Sequence, residues 1–149
     1  MNDLKNKVAY ITGGSKGIGY GIAQTLLNAG MRVVITSRSL QAAQDAAASL
    51  SNDKSRILAL ESDVSSLASE KATIERIKES FGQLDVLIAN AGVGLFAPID
   101  ELTEEDWRQT IDTNLTGVFN SVKASIDPLK KTEGYIITIA TNHTPKTEH

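Results

Sequence analysis

The sequence contains no cysteine. Disulfides, cysteine-ligated zinc and thiol catalysis are therefore excluded. The same lack suits a reducing compartment, and a cytoplasmic location is expected. Its two histidines, His143 and His149, both lie at the very end of the sequence. A Ser-His-Asp triad or a histidine-rich metal site within the body of the domain is excluded in turn, and no metal is expected. No apolar run approaches the ~20 residues that a membrane-crossing helix needs. The opening, Met1-Asn2-Asp3-Leu4-Lys5-Asn6-Lys7, is polar and leads straight into an apolar stretch, so no signal peptide and no membrane partner are expected. Basic stripes are missing too. The net charge is −3 at pH 7, which argues against nucleic acid as a partner.

What the 149 residues do contain is enough chain for one domain with a full core. There is no repeat, low-complexity segment or interdomain linker, and the polar end 142–149 is expected to be a flexible tail. The chain is organised around Thr12-Gly13-Gly14-Ser15-Lys16-Gly17-Ile18-Gly19. An apolar run, Val8 to Ile11, precedes it and reads as a buried strand. Ile18, Ile22, Leu26 and Leu27 follow at helical spacing. The stretch is thus a tight turn from strand into helix. Glycine allows a sharp turn and a close approach of backbone to ligand. The helix that begins there offers unpaired N–H groups and a positive dipole end, which suit a pyrophosphate. The spacing is G-x-x-x-G-x-G rather than G-x-G-x-x-G. A P-loop is excluded, because no Gly-Lys-Ser/Thr follows Gly13 or Gly14 at the required distance. Two readings stand at this point: a nucleotide-binding turn, or a glycine-rich turn with no ligand.

The rest alternates strand and helix. Strands are predicted at Lys7 to Ile11, Met31 to Thr36, Arg56 to Glu61, Leu84 to Ala89 and Tyr135 to Ala140. Gly30 and Gly82 suit helix C-termini, and Ser39 suits an N-cap. Helices are predicted to Ala29, over Leu40 to Leu50 and over Ser66 to Phe81. A longer one is capped by Thr103, with Pro128 expected to bend or restart it. In that helix Trp107, Ile111, Leu115, Val118, Phe119 and Val122 recur at helical spacing, so this face is expected to be buried. Glu104, Glu105 and Asp106 in its first turn could suggest a metal; the better reading is that they complement the helix dipole. Strands alternating with helices predict an α/β fold, a three-layer doubly wound parallel sheet. Ligand chemistry then collects at the carboxyl ends of the strands. The residues there are the glycine turn, Ser37-Arg38, Asp63-Val64, Asn90-Ala91-Gly92 and Thr141.

Together these residues resemble the short-chain dehydrogenase/reductase family. The matching pieces are Thr12 to Gly19, Asp63-Val64, Asn90-Ala91-Gly92, Asn114-Leu115-Thr116-Gly117 and Gly134 to Ala140, in the family's order and spacing. Within the family the chain looks most like the 3-oxoacyl-carrier-protein reductase type. The resemblance implies a Rossmann fold, incomplete at the C-terminal side, and an oxidoreductase that transfers hydride between a nicotinamide coenzyme and a small carbonyl or alcohol substrate. It implies that Thr12, Gly13, Ser15, Lys16, Gly17, Ile18 and Gly19 form the coenzyme turn. Asp63 and Val64 would contact the adenine, and Asn90, Ala91 and Gly92 would approach the coenzyme. Asn114 would position a water in the proton relay. Alternatively, Asp63 only caps the helix near Ser66, and Asn114 is an ordinary polar helix residue. A homo-oligomer is expected.

Coenzyme choice follows from charge. An acidic side chain after the second strand favours NAD and repels a 2′-phosphate. Ser37 stands there instead, followed by Arg38, whose guanidinium can grip phosphate in a bidentate way; Lys16 adds a second positive charge. NADP(H) is therefore expected, with NAD(H) as the alternative; both residues could also be plain surface cations. In the family a Tyr-x-x-x-Lys pair and a serine after strand five carry the proton transfer. Thr141 holds the serine's place. The pair would come about a dozen residues later, and Tyr10, Tyr20 and Tyr135 have Gly14, Gln24 and Ile139 at the fourth place. This chain is accordingly expected to lack turnover by itself, or to be a catalytically silent nucleotide-binding or interaction module.

Overall fold

The computed structural model describes residues 3–92 and 98–140. Five parallel strands form one sheet in the order β3-β2-β1-β4-β5. They are β1 (Val8–Ile11), β2 (Arg32–Ser37), β3 (Ile57–Glu61), β4 (Val86–Ala89) and β5 (Tyr135–Thr138). Between them run α1 (Gly17–Asn28), α2 (Leu40–Leu50), α3 (Leu67–Phe81), α4 (Glu104–Ile111) and α5 (Gly117–Thr132). The fold is the expected doubly wound α/β sheet. The chain moves outward from β1 to β3, returns across the sheet and adds β4 on the other side of β1. The reversal leaves a crevice above the carboxyl ends of β1 and β4.

Strand alternation divides the core in two. Ala9, Ile11, Val33, Ile35 and Ile88 point to one face, where Ala23 of α1 and Ala46 of α2 cover them. Val8, Tyr10, Val34 and Leu87 point to the other, against Ile74 and Ile77 of α3 and Leu129 of α5. The helix ends carry the expected stops and starts. Gly30 and Gly82 adopt φ of +90° and +77°. Ser39 accepts from the Ala42 amide at 3.2 Å, and Ser66, not Asp63, caps α3 by accepting from Ser69 at the same distance. Thr103 and Asp106 form a reciprocal capping box at the start of α4, and Glu104 pairs with Arg108 at 3.4 Å. The first-turn carboxylates thus act locally at the helix start.

The long helix departs from expectation in three ways. It is interrupted by a π-helical segment, Asp112–Thr116, between α4 and α5. It does not restart at Pro128, since α5 continues to Thr132 and stops at Glu133, whose φ is +52°. Finally, only half of the apolar stripe is turned inward: Ile111, Val118 and Val122 are half-buried, with Val122 packed on the core, and the other three face outward. Trp107, Leu115 and Phe119 are 60%, 65% and 59% exposed. The residues of α5 turned inward are Gly117, Asn120, Ser121, Ser125, Pro128 and Leu129. Periodicity revealed a face; the docked face is the one whose Asn120 and Ser121 meet the Val64 carbonyl after β3 and the Glu70 carboxylate of α3. β5 lies at the sheet edge with all four residues exposed.

Candidate functional site

The turn from β1 into α1 is sewn to the end of β4. Thr12 is buried, and its hydroxyl oxygen accepts from the Asn90 and Ala91 amides, each at 2.9 Å. Asn90 returns the contact: its side-chain amide donates to the Thr12 and Gly13 carbonyls at 3.2 and 3.0 Å. Gly13 and Gly17 hold φ of +65° and +59°, the left-handed region where a Cβ is strained. A Cβ on Gly13 would also lie 2.9 Å from the Ala91 Cα. Lys16 occupies the N-cap of α1 without a side-chain cap hydrogen bond. The N-cap position therefore supplies no side-chain acceptor to the positive end of α1.

This end of α1 opens on a cleft of about 860 Å³, a size suited to a small-molecule ligand. The cleft gathers Gly13, Ser15, Lys16 and Gly17 from the glycine turn, Ser37 and Arg38 from the end of β2, Asp63 and Val64 after β3, and Asn90, Ala91 and Gly92 after β4. Four stretches far apart in sequence meet because all leave carboxyl ends of a parallel sheet. Other expected residues lie elsewhere. Thr12 and Gly19 are buried behind the wall, with a Cβ on Gly19 only 2.5 Å from the Asn90 side-chain nitrogen. Ile18 is exposed on the first turn of α1 and does not line the cleft. Asn114 lies in the π-helical segment beside Gly92, with its Oδ1 3.0 Å from where a Gly92 Cβ would stand. Thr141 lies outside the described residues.

Sequence reasoning passed over Thr36, Ser39, Ala42, Ser62, Gln109 and Thr113, which also line the cleft. Thr36 and Ser62 were findable, because each stands at the carboxyl end of a strand. Gln109 and Thr113 were not, because they come from α4 and the π-helical segment after it rather than from a strand end. The Asp63 carboxylate accepts from the Ser65 amide and hydroxyl at 2.9 and 2.6 Å. Beneath the cleft, burial and the neighbouring Glu70 carboxylate push the Tyr10 phenol well above its ordinary range, so it stays protonated and donates.

A polar-walled cleft at the switch point, fed by a glycine turn, is the setting in which open α/β sheets bind dinucleotides. The model of the short chain dehydrogenase family matches residues 7–148. The chain belongs to the short chain dehydrogenase family. Among curated members it is similar to the 3-oxoacyl-[acyl-carrier-protein] reductase of Escherichia coli, at 37% identity over 139 residues, covering 92% of this chain and 55% of the relative. Among solved members it is similar to an alcohol dehydrogenase from the archaeon Thermococcus sibiricus complexed with 5-hydroxy-NADP. That structure is 36% identical with a TM-score of 0.84, over 90% of this chain and 57% of the other. A 3-ketoacyl-(acyl-carrier-protein) reductase from Brucella melitensis complexed with NADH is 29% identical with a TM-score of 0.86, over 93% and 59%. The chain spans about half to three-fifths of the length of the curated relatives it matches. No helix among the described residues is long and apolar enough to cross a membrane.

Proposed function

We propose that the cleft binds the dinucleotide coenzyme of a carbonyl or alcohol oxidoreductase, and that it prefers NADP(H) to NAD(H). The observation that carries the preference is the charge at the end of β2. Ser37 and Arg38 line the cleft where an NAD-selective site would place a carboxylate, and Lys16 lines it from the glycine turn. The residues fit the coenzyme chemically. The uncapped start of α1 suits the pyrophosphate, Asp63 and Val64 border the adenosine side, and Arg38 with Lys16 suits a 2′-phosphate. The coenzyme supplies hydride transfer. The protein holds it through the turn from Thr12 to Gly19 and the Asn90–Gly92 wall, while Asn114 orders water for the proton and Thr141 contacts the substrate oxygen. The substrate is a small carbonyl or alcohol compound, and the working form is a homo-oligomer.

Calorimetric titration with NADPH and NADH tests the preference in the wild type and in Arg38→Asp. A charge-assisted phosphate contact is worth about 1.5–3 kcal/mol. Arg38 is exposed, so the low end of that range applies, about tenfold in affinity and weakening with salt. The wild type should bind NADPH more tightly, and Arg38→Asp should lose or invert the preference. Equal affinity of the wild type for both coenzymes refutes it.

A second reading rests on a specific observation: none of Tyr10, Tyr20 and Tyr135 has a lysine at the fourth place after it. On that reading these 149 residues bind coenzyme without turning it over. Tight NADPH binding with no ketone-dependent oxidation supports it.

A further inference from the structure

Glu70 is fully buried on the first turn of α3, and hydroxyl groups surround its carboxylate. Its Oε2 accepts from the Tyr10 phenol at 2.6 Å and from the Ser62 hydroxyl at 2.9 Å. Its Oε1 accepts from the Ser121 hydroxyl at 2.5 Å. Thr73 then donates to the Ser62 oxygen at 2.9 Å, and Thr36 lies 3.4 Å from the Tyr10 oxygen. Burying a carboxylate is costly unless its oxygens are hydrogen-bonded. Apolar packing would fill this space at less cost, so what the carboxylate contributes is geometry. A fully satisfied polar network fixes one arrangement of the groups it joins.

Those groups are the floor of the cleft. Ser62 and Thr36 line it directly. The segment after Ser62 is held on its other sides as well. The Asp63 amide donates to the Ser69 hydroxyl at 2.9 Å, and Asn120 of α5 donates to the Val64 carbonyl at 2.8 Å. Gly117 abuts Val64 so closely that a Cβ would come within 2.7 Å of the valine Cγ2. Ser121, the other pole of Glu70, sits on α5 one residue beyond Asn120 and one turn beyond Gly117. One carboxylate therefore ties β1, the loop after β3 and α5 together at the wall formed by Asp63 and Val64.

We propose that Glu70 is a positioning residue for the adenosine end of the coenzyme: through Ser62 and Ser121 it fixes the Asp63–Val64 wall in its binding geometry. The inference rests on the coenzyme reading given above. It makes a distinction between chemistry and charge. A glutamine can serve in place of Glu70, with its carbonyl oxygen accepting from Tyr10 and Ser62 and its amide donating to Ser121, whose hydroxyl already reaches the Gly117 carbonyl at 3.0 Å. A leucine cannot.

The experiment uses the full 149-residue chain, with calorimetric titration of ADP-ribose 2′-phosphate, which carries the adenosine half alone. Amide exchange at Asp63 and Ser65 is measured in parallel. Glu70→Leu should weaken binding by about tenfold and speed exchange at both amides, while Glu70→Gln stays within about threefold of wild type. Ile77→Ala, in the same core layer but away from the cleft, controls for loss of stability and should move neither readout at temperatures where it is folded. Should Glu70→Leu not accumulate as folded protein, Ser62→Ala decides, because it cuts the arm from Glu70 to the loop, together with the Ser62 contacts to Thr73 and Ser69, leaves the arms to Tyr10 and Ser121 in place, and should weaken binding in the same direction. Wild-type affinity and exchange in Ser62→Ala, or in folded Glu70→Leu, overturn the inference while leaving the coenzyme reading intact. Equal losses in Ile77→Ala and Glu70→Leu also overturn it, since general destabilisation then explains both. No binding by the wild type overturns the coenzyme reading and this inference with it.

Discussion

Two alanine substitutions in one helix should have opposite effects. Gly19 and Gly21 both lie in α1, two residues apart. A Cβ at Gly21 meets nothing within 4 Å, whereas one at Gly19 falls 2.5 Å from the Asn90 side-chain nitrogen and 2.7 Å from the Gly13 carbonyl oxygen. The Asn90 amide would have to withdraw and give up its bonds to Thr12 and Gly13. Two neutral hydrogen bonds are worth about 1–3 kcal/mol together. Overpacking against the carbonyl, which is backbone and cannot swing aside, adds about 1–3 kcal/mol. The better helix propensity of alanine returns about 1 kcal/mol. Gly19→Ala should therefore destabilise the fold by about 3 kcal/mol, and Gly21→Ala should stabilise it by about 1 kcal/mol. Urea unfolding with a shared m-value measures both. Wild-type stability in Gly19→Ala, or a clear loss in Gly21→Ala, would refute the reasoning, because the turn would then not be clasped by Asn90 as described.

Three further outcomes are expected. Alkaline stability should depend on Tyr10, whose folded pKa is raised above the ordinary 10.0 by burial and then by the Glu70 charge. The unfolded chain releases that proton first, so the contribution is intact below pH 10 and is lost as pH climbs from there toward the folded value. Urea unfolding across pH should show Tyr10→Phe lacking a slope of about 1.4 kcal/mol per pH unit in this range; identical slopes refute it. NADPH oxidation with ketones and 3-oxoacyl thioesters should stay at background, since fixed general-acid help is worth about 10²–10⁴-fold. Sustained turnover abolished by Thr141→Val would show another proton donor. Sedimentation velocity should show concentration-dependent association, because Trp107, Leu115, Phe119, Tyr135, Ile136 and Ile137 are exposed. A single monomeric species at high micromolar concentration refutes that.

The sequence by itself determined the elements and their kind. Apolar runs of strand length, glycines at helix ends and hydroxyl caps are local signals, set by backbone sterics and nearest hydrogen-bonding groups. They located all five strands to within a residue or two, together with the caps at Ser39 and Thr103. Strand alternation with helices also determined that Ser37-Arg38, Asp63-Val64 and Asn90-Gly92 meet the glycine turn, since parallel strands present all their carboxyl ends on one side. The tertiary structure decided what depends on a neighbour. Trp107, Leu115 and Phe119 repeat at helical spacing, yet they are exposed, and the face of α5 that docks carries Ser121 and Asn120, which meet a buried carboxylate and a carbonyl, beside Leu129. The π-helical segment that carries Asn114 and turns Thr113 into the cleft has no local signature. Glu70 was not singled out from the sequence. Only the packing of β1, the loop after β3 and α5 against one another brings three hydroxyls to it, and burial there turns it into a structural tie.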